Sequence, residues 1–395
     1  MRAETIRSDF FNLLFKPVLM NPFIFLFLFL GMIPACLPGA KAASLSNRAS
    51  EGRLLRPAQH QTVSVSVGFV REFSFQRIRG SVDELDQWVF LTMFRDGIVA
   101  RLDLNTGKTL ETISSSVSDP ESVVYNPLAH SAFVALGDSR SFLVTPIREA
   151  GPPFLGNTGL NPSWVGGSPA LGYYLLAGAV HILYSLDRNG YHTKDWIALG
   201  DKVDEITFDP ERKKIYFPLF RKGQVKTVSV PEFRMVSDVD IDLCHHPKTV
   251  LSDGTPNSSN VLVLCRNGLF GGNALSGGFK VLKKFGERPG MMARIARSKM
   301  IAISFPDAHE IRILDQNGYR VVKEFPTRGR PVFLFSTQMK NSLLVVSDRP
   351  ELRKTQLVSY EFDGSALAAI RLPSGKNKNG IRAAKTMNKN VGLKN

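Results

Sequence analysis

The sequence predicts an all-β protein in which one four-stranded antiparallel unit is repeated seven times. Segments that run from a strand into a turn start every 39 to 46 residues. A loop that ends in Pro before an apolar strand recurs at spacings of 41 to 44 residues, with Lys202-Val203 in the one place where the Pro is missing. Helical periodicity is nowhere sustained, which excludes solenoids of helix pairs. A β-solenoid needs shorter coils, and a sandwich does not repeat at a fixed length. Together these observations predict a seven-bladed β-propeller.

The segment that precedes this fold, residues 1–42, has the layout of a secretory signal peptide. A basic region is followed by the uncharged apolar run 22–33, and Ala40-Lys41-Ala42 fits a cleavage site before Ala43. The apolar run is shorter than the roughly 20 residues that a spanning helix needs. The sequence therefore predicts export, with a membrane contact only through the leader or a lipid.

Ile33-Pro34-Ala35-Cys36 resembles the bacterial lipobox, in which a lipidated cysteine becomes the first residue of the mature chain. The Pro at the second position departs from that pattern. Two outcomes stay open: Cys36 is lipidated and tethers the protein to the outer membrane, or Cys36 is removed with the signal peptide.

Residues 43–73 are predicted to form an N-terminal linker that ends in an alternating strand, residues 61–73. This strand either pairs with the seventh blade to close the ring or adds an extra edge. The propeller itself is predicted over residues 74–373, and a basic disordered tail over residues 374–395.

The repeated strand-and-turn segments are rich in Val, Ile, Phe and Tyr and are followed by Asn-Gly, Asp-Gly or similar turns. They are Ile98–Gly107, Phe142–Glu149, His181–Gly190, Gln224–Val230, Gly268–Ser276, Glu310–Gly318 and Gln356–Gly364. Strands such as Ser131–Leu136 and Lys214–Phe217 lie between them, which gives four strands, A to D, in each unit.

The net charge of +15 is concentrated at the two ends of the chain. Residues 1–60 carry +4 and residues 371–395 carry +7, which leaves +4 for the 310 residues between them. A basic terminal run is typically solvated. Nucleic-acid binding would rest on this tail alone, so the charge distribution argues against it.

One repeat resembles the YVTN (YncE-like) family of exported bacterial propellers. The run Phe208–Val230 has the family's order of apolar strand, charged turn and second strand, and Val99–Gly107 and Ile311–Gly318 are similar to its closing strand and turn. The Tyr-Val-Thr-Asn string itself is absent. The resemblance covers about residues 74–373 and implies the propeller fold far more than any activity, because propellers host many functions.

Propeller topology places the D-to-A links and the B-to-C loops on one face, here called the top face. Both sets are predicted to surround the mouth of the central channel. The predicted ring consists of Asp119, Asn161, Lys202, His246, Arg288 and Arg330 from the links, and Arg95, Arg140, Arg221, Arg266 and Arg349 from the loops. Converging guanidinium groups bind carboxylates and phosphates. The alternative is that Asp96, Asp138, Asp307 and Asp348 neutralise these cations as surface salt bridges.

Cys244 and Cys265 are both predicted near the top face within one blade, as a disulfide or as two buried thiols. Cys244, His245 and His246 are adjacent in sequence and so cannot readily face one metal, and no metal or cofactor is predicted. Trp88, Trp164 and Trp196 fall in or beside strands and are predicted to pack in the core. No phosphate-binding loop, nucleophile elbow or metalloprotease motif occurs in the sequence.

These patterns predict a non-catalytic, monomeric binding or assembly module at the bacterial envelope. Its ligand would be an envelope protein or an anionic small molecule or polymer at the channel mouth. The alternative is a propeller enzyme, a lactonase-like hydrolase or a quinone-dependent dehydrogenase, with its site at the same mouth. The scarcity of acidic metal ligands there favours the binding module.

Overall fold

The computed structural model describes residues 63–363 in one compact unit, with short gaps in some loops. The gaps are residues 84–85, 115–118, 148–150, 159–160, 169–172, 179–180, 188, 190–191, 202, 204, 231, 256–257, 296–297 and 338–340. The predicted signal peptide, Cys36 and the basic tail lie outside the described residues. The described chain forms seven four-stranded antiparallel sheets, which confirms the predicted fold.

The first three blades follow the chain in simple order, each strand pairing with the next one. They are β2 (Ile78–Asp83), β3 (Trp88–Met93), β4 (Ile98–Asp103) and β5 (Thr109–Ser114); β6 (Pro120–Asn126), β7 (Ser131–Leu136), β8 (Ser141–Pro146) and β9 (Phe154–Asn157); and β10 (Pro162–Ser168), β11 (Tyr173–Gly178), β12 (Ile182–Leu186) and β13 (Thr193–Ala198).

The next three blades repeat this order. They are β14 (Thr207–Asp209), β15 (Lys214–Leu219), β16 (Gln224–Ser229) and β17 (Arg234–Asp240); β18 (Thr249–Ser252), β19 (Asn260–Cys265), β20 (Gly268–Asn273) and β21 (Gly277–Lys284); and β22 (Met292–Ile295), β23 (Met300–Phe305), β24 (Glu310–Asp315) and β25 (Val321–Pro326).

The seventh blade joins the two ends of the described chain. It contains β26 (Arg330–Ser336), β27 (Ser342–Arg349) and β28 (Lys354–Phe362), and its fourth strand is β1 (Val65–Ser74) from before the first blade. β1 pairs antiparallel with β28 along its length. The N-terminal strand therefore closes the ring, and the alternative of an extra edge is wrong.

Seven apolar clusters hold the ring together, one at each interface between neighbouring blades. Phe90 of blade one packs with Val134 of blade two, for example, and Leu344 of blade seven packs with Leu91 of blade one. Each sheet thus buries both of its faces against adjacent sheets. This explains why the inner strands are continuously apolar, as in β7 and β23, where all six residues are buried.

The strand-and-turn segments of the sequence correspond to the third strand of every blade. Each predicted start lies within two residues of the observed start of β4, β8, β12, β16, β20, β24 or β28. Pro120 and Pro162 begin a first strand, since a residue without an N–H group fits a strand's first position, and Pro331 is the second residue of β26. Pro247 and Pro289 lie two and three residues before theirs.

The three tryptophans differ in burial, which corrects one prediction. Trp164 is 9% exposed and Trp88 packs beside the cluster between blades one and two. Trp196, in contrast, is 65% exposed, because it lies on β13, the outermost strand of its blade, where no neighbouring sheet covers it.

Among the described residues, no helix is long and apolar enough to cross a membrane.

Candidate functional site

A cavity of about 620 Å³ opens at the top face, where the first strands begin. Because neighbouring strands in a blade are antiparallel, the starts of first strands and the ends of second strands lie at the same face. Both contribute to the lining, and the first strands of neighbouring blades contact one another around the axis. The lining residues are Phe75, Gln76, Arg77, Ile78, Arg79, Glu205, Lys248, Thr249, Gly290, Met291, Pro306, Arg330, Val332, Phe333 and Asp348. We call this the mouth cavity.

The mouth cavity contains four cationic side chains and two carboxylates. The cations are Arg77, Arg79, Lys248 and Arg330, and the acids are Glu205 and Asp348. The lining therefore carries a net charge of about +2 at neutral pH. Since a concave, low-dielectric wall focuses the field of its charges, such a mouth attracts anions.

Two of these cations are held at the rim by ion pairs. Arg77 pairs with Glu121 and lies over the ring of Phe94, 4.2 Å from its centroid. Arg330 pairs with Asp307 at 3.1 Å, with both side chains more than half exposed. An exposed pair such as Arg330–Asp307 is worth about 0 to 1 kcal/mol, so an incoming anion can displace Asp307 at little cost.

Lys248 is fixed further inside by the backbone of the neighbouring blade. Its Nζ donates a hydrogen bond to the carbonyl oxygen of Pro289 at 3.1 Å. This carbonyl orients the ammonium group, and Lys248 is one of the four cationic residues that line the mouth cavity.

Arg79 reaches from blade one past blade two to blade three. It lies on β2 of blade one, yet its Nη1 donates to the carbonyl oxygen of Ser163 on β10 of blade three, at 3.4 Å. The structure places no carboxylate within ion-pair distance of its guanidinium, among the residues described. A guanidinium has five N–H donors, and one long bond leaves most of them available.

A second, smaller cavity of about 170 Å³ adjoins the first along the channel. Arg79, Glu205 and Phe333 line both. We call this the inner cavity. Trp164 forms one wall and is stacked on Phe208, with ring centroids 6.3 Å apart.

Glycine and serine residues of the first strands complete the inner cavity. A Cβ atom at Gly166 would overlap the ring of Trp164, so a glycine is needed for that ring to lie across its own strand. Ser122 Oγ accepts a hydrogen bond from the N–H of Val165 at 2.6 Å and so ties blade two to blade three. Ser81 Oγ is buried and has no hydrogen-bond partner among the residues that the structure describes.

The carboxyl group of Asp348 is held in an unfavourable environment. Burial raises its pKa above the usual aspartate value, against the opposing effects of a hydrogen bond from Thr355 at 3.2 Å and of the charge of Arg330. A carboxylate in such a site gains from a nearby cation. Asp348 therefore competes with any anionic ligand for Arg330.

The structure brings one of the ring residues predicted from the sequence, Arg330, into the described lining of the mouth cavity. Lys202 lies outside the described residues. The side chains of the following predicted residues are exposed around the top face: Asn161, Arg288, Arg95, Arg140, Arg221 and Arg266. The link and loop residues thus form an outer rim, while the starts of the first strands reach the axis.

The remaining predicted residues have local partners on this rim. Asp119 shares a hydrogen bond with Asp138, which together with burial raises the pKa of Asp119. His246 stacks on Phe220 with centroids 4.5 Å apart. Arg349 Nε donates to Glu351 at 3.2 Å. These contacts shape loops and leave the mouth cavity to other side chains.

The alternative prediction, that loop aspartates neutralise the top-face cations in surface salt bridges, is correct for part of this surface. Arg330 and Asp307 form such a pair. Asp96, in contrast, accepts a hydrogen bond from the amide of Gln76 at 2.6 Å. The outer rim is therefore a mixture of ion pairs and exposed arginines.

Cys244 and Cys265 form a disulfide, with Cα atoms 5.6 Å apart. The bond ties the link into blade five to the end of β19. The peptide beside it is held as well, since Asn267 Nδ2 donates to the carbonyl oxygen of Leu243 at 2.7 Å. Within the described parts of the chain, no group of three His, Cys, Asp or Glu side chains is close enough to hold a metal ion.

Arg77, Arg79 and Lys248 are the site residues that the sequence reasoning missed. Arg77 and Arg79 are two residues apart at the start of a strand, so their side chains lie on one side of it. That alternation in the run Gln76–Arg79 is the pattern that would have identified them. It was obscured because the first blade lacks the Pro marker.

Comparisons with known proteins show the fold alone. No family model matches the chain, and no curated protein matches it. BBS1N in complex with ARL6DN is similar over 77% of this chain and 99% of its own, with 11% identity and a TM-score of 0.59. BamB from Moraxella catarrhalis matches over 73% and 84%, with 16% identity and a TM-score of 0.51. Kuenenia stuttgartiensis hydrazine synthase matches over 72% and 94%, with 16% identity and a TM-score of 0.58.

Proposed function

We propose that this propeller is a binding module that holds an anionic segment of a partner protein in the mouth cavity. The observation that carries the proposal is the cavity itself: about 620 Å³ at the channel axis, lined by four cations and two acids. Ligand sites are typically concave, of this size, and furnished with a few convergent polar groups.

The chemistry of the lining favours carboxylates. Guanidinium groups form planar, bidentate hydrogen bonds with carboxylates, and three of the four cations are arginines. Phe75 and Phe333 supply apolar contact area beside them. A protein segment that combines acidic with apolar side chains satisfies both parts of the wall.

A protein partner is also supported by what the same fold does elsewhere. BBS1N is a propeller of similar structure that was solved in complex with ARL6DN, which is a protein partner. Hydrazine synthase shows that the fold occurs in an enzyme too. We favour binding, because a cationic and aromatic mouth accounts for recognition without a further catalytic group.

We further propose that the module acts outside the cytoplasm, at the bacterial envelope. The leader at residues 1–42 and the resemblance to exported YVTN propellers support this location. The Cys244–Cys265 disulfide supports it independently, since such bonds persist in oxidising compartments. A lipid on Cys36 would hold the module at a membrane.

Site-specific photo-crosslinking in the native host tests the proposed site. A photoreactive phenylalanine replaces Phe75, which is 39% exposed at the mouth, and in a matched strain it replaces Leu128, which is 51% exposed on the opposite face. We expect a discrete protein adduct from position 75 and none from position 128. Because the proposed partner is held by the cationic wall, the double variant Lys248→Glu and Arg330→Glu should no longer form the adduct at position 75.

The same experiment defines the contrary result. Equal adducts from both faces, or an adduct at position 75 that survives the charge reversal, would show that the mouth cavity is not the binding site. The melting temperature of the reversed variant, compared with the parent protein, verifies that the fold is retained.

A further inference from the structure

The two channel cavities form a stepped path along the axis. The wide mouth cavity narrows where Arg79, Glu205 and Phe333 line it together with the inner cavity. A ligand that enters from the top face therefore meets the guanidinium of Arg79 at the step before it reaches the inner cavity.

Arg79 has hydrogen-bonding capacity to offer at this step. Its guanidinium donates to the carbonyl oxygen of Ser163 at 3.4 Å, which is a weak bond. The side chain is half-buried, so an anion bound to it is shielded from water. Charge-assisted hydrogen bonds formed under such shielding are stronger than those at an open surface.

The inner cavity beyond Arg79 has aromatic and aliphatic walls that can hold a single apolar group, with Glu205 at the step. Its volume is about 170 Å³, and a dry cavity of roughly 150 Å³ admits a benzene ring. The walls are the stacked pair Trp164 and Phe208 with Val165 and Ile206, and Ser81 Oγ is the one unpaired buried hydroxyl among its described lining residues. A ring-sized side chain would fill this space against aromatic partners.

We propose that the channel binds the carboxyl-terminal end of a peptide, with the terminal carboxylate on Arg79 and the last side chain, apolar and of ring size, in the inner cavity. This inference rests on the proposed function and specifies its ligand. The preceding residues of the peptide lie in the mouth cavity, where Arg77, Lys248 and Arg330 favour acidic side chains.

Because Arg79 and the inner cavity are adjacent, they fit the carboxyl-terminal residue of a peptide better than an internal acidic residue. In a terminal residue the carboxylate and the side chain are attached to one Cα, so the anion and the apolar group are adjacent, as Arg79 and the inner cavity are. An internal aspartate or glutamate carries its own carboxylate, and its apolar neighbour points to the other side of an extended chain. Such a segment would also have to continue back out through the step.

Calorimetry with two matched tetrapeptides tests the inference. The probes are acetyl-Glu-Asp-Glu-Phe with a free carboxylate and the same peptide with a carboxyl-terminal amide. We expect the free acid to bind the parent protein at least about tenfold more tightly than the amide, since the amide loses a charged hydrogen-bonded contact. Arg79→Gln should reduce the acid to the affinity of the amide, whereas Arg234→Gln, on the exposed outer strand β17, should change neither.

A second variant probes the inner cavity without touching Arg79. Ser81→Leu places additional carbon atoms in that cavity, so it should weaken acetyl-Glu-Asp-Glu-Phe about tenfold while leaving acetyl-Glu-Asp-Glu-Gly unchanged. Melting temperatures close to that of the parent protein verify that both variants fold.

The contrary results separate this inference from the proposed function. Equal affinity of acid and amide, no effect of Arg79→Gln, or no binding of the acid up to about 1 mM would each overturn end-on binding. The proposed mouth site would still stand if the adduct at position 75 were lost on charge reversal.

Discussion

At the scale of single residues, burial and charge partners decide which ionisable groups cost stability and which provide it. Asp348 and Arg212 illustrate the two cases. Asp348 is a carboxyl group whose pKa is raised because burial outweighs its partners. Arg212 is a buried cation that joins two blades, pairing with Asp209 and, at 3.1 Å, with Asp253.

Replacing Asp348 with asparagine should make the folded protein less sensitive to pH. Because the pKa of Asp348 is raised in the folded state, the folded protein keeps this proton up to a higher pH than the unfolded chain does. Stability therefore falls as pH rises from the ordinary aspartate value of 3.8 through the raised one. Melting curves at pH 4 and pH 7 should show that Asp348→Asn removes part of this fall. If the difference between the melting temperatures at pH 4 and pH 7 were the same in Asp348→Asn as in the parent protein, Asp348 would not be its cause.

Replacing Arg212 with methionine should destabilise the propeller strongly. The side chains of Arg212 and Asp209 are 8% and 5% exposed, so the change leaves a carboxylate buried without its cation. Breaking such a pair costs about 3 to 5 kcal/mol, whereas Arg330→Met, in an exposed pair, should cost about 0 to 1 kcal/mol. Urea unfolding measures both. Equal losses would show that Arg212 is not a tie between blades.

At the scale of elements, a strand pairing and a disulfide connect parts of the chain that the order of strands within each blade does not connect. β1 completes blade seven through its pairing with β28, which joins residues nearly 300 positions apart, such as Val65 and Phe362. The disulfide fixes the link into blade five, beside an exposed leucine at position 243 with a φ of 65°.

Removing this disulfide should lower the free energy of unfolding by about 3 kcal/mol. The cysteines are 21 residues apart, and a cross-link over a loop of this length restricts the unfolded chain by about that amount. The double variant Cys244→Ser and Cys265→Ser, compared with the parent protein by urea unfolding, measures the loss. If the parent protein lost no stability on reduction with dithiothreitol in the same assay, the pairing would be contradicted.

At the scale of the whole molecule, the charge distribution separates the folded part from the ends. The +15 charge of the chain falls largely on residues 1–60 and 371–395. The propeller is therefore close to neutral, and the cationic mouth is a local feature of its axis.

The mature protein should begin at Ala43 and occur in the soluble envelope fraction. The signal-peptide layout and the cleavage pattern at residues 40–42 are the reason. The intact mass of protein purified from the soluble and membrane fractions of its host measures this. A diacylated or triacylated mass that begins at Cys36 would instead identify a tethered lipoprotein, and an uncleaved chain would refute export.

The repeat alone determined the architecture. A fixed spacing of β-rich segments with turn residues between them leaves one closed arrangement, so the third strand of each blade was located within two residues. The same period placed Cys244 and Cys265 at the same end of one blade, and the structure added that they pair. These properties depend on the local pattern and its period.

The residues that form the candidate site are brought together by the tertiary structure. Arg79 reaches Ser163 two blades away, and this contact exists only after blades one to three have packed together. The sequence predicted the site on the links and loops, but of those residues only Arg330 is in the described lining of the mouth cavity. Its other cations, Arg77, Arg79 and Lys248, lie at or just before the starts of first strands. The prediction that Trp196 packs in the core was wrong because Trp196 lies on the outermost of the four strands of its blade, where no neighbouring sheet covers its side chain. A periodic sequence specifies the blades, but the convergence of seven of them creates the cavity.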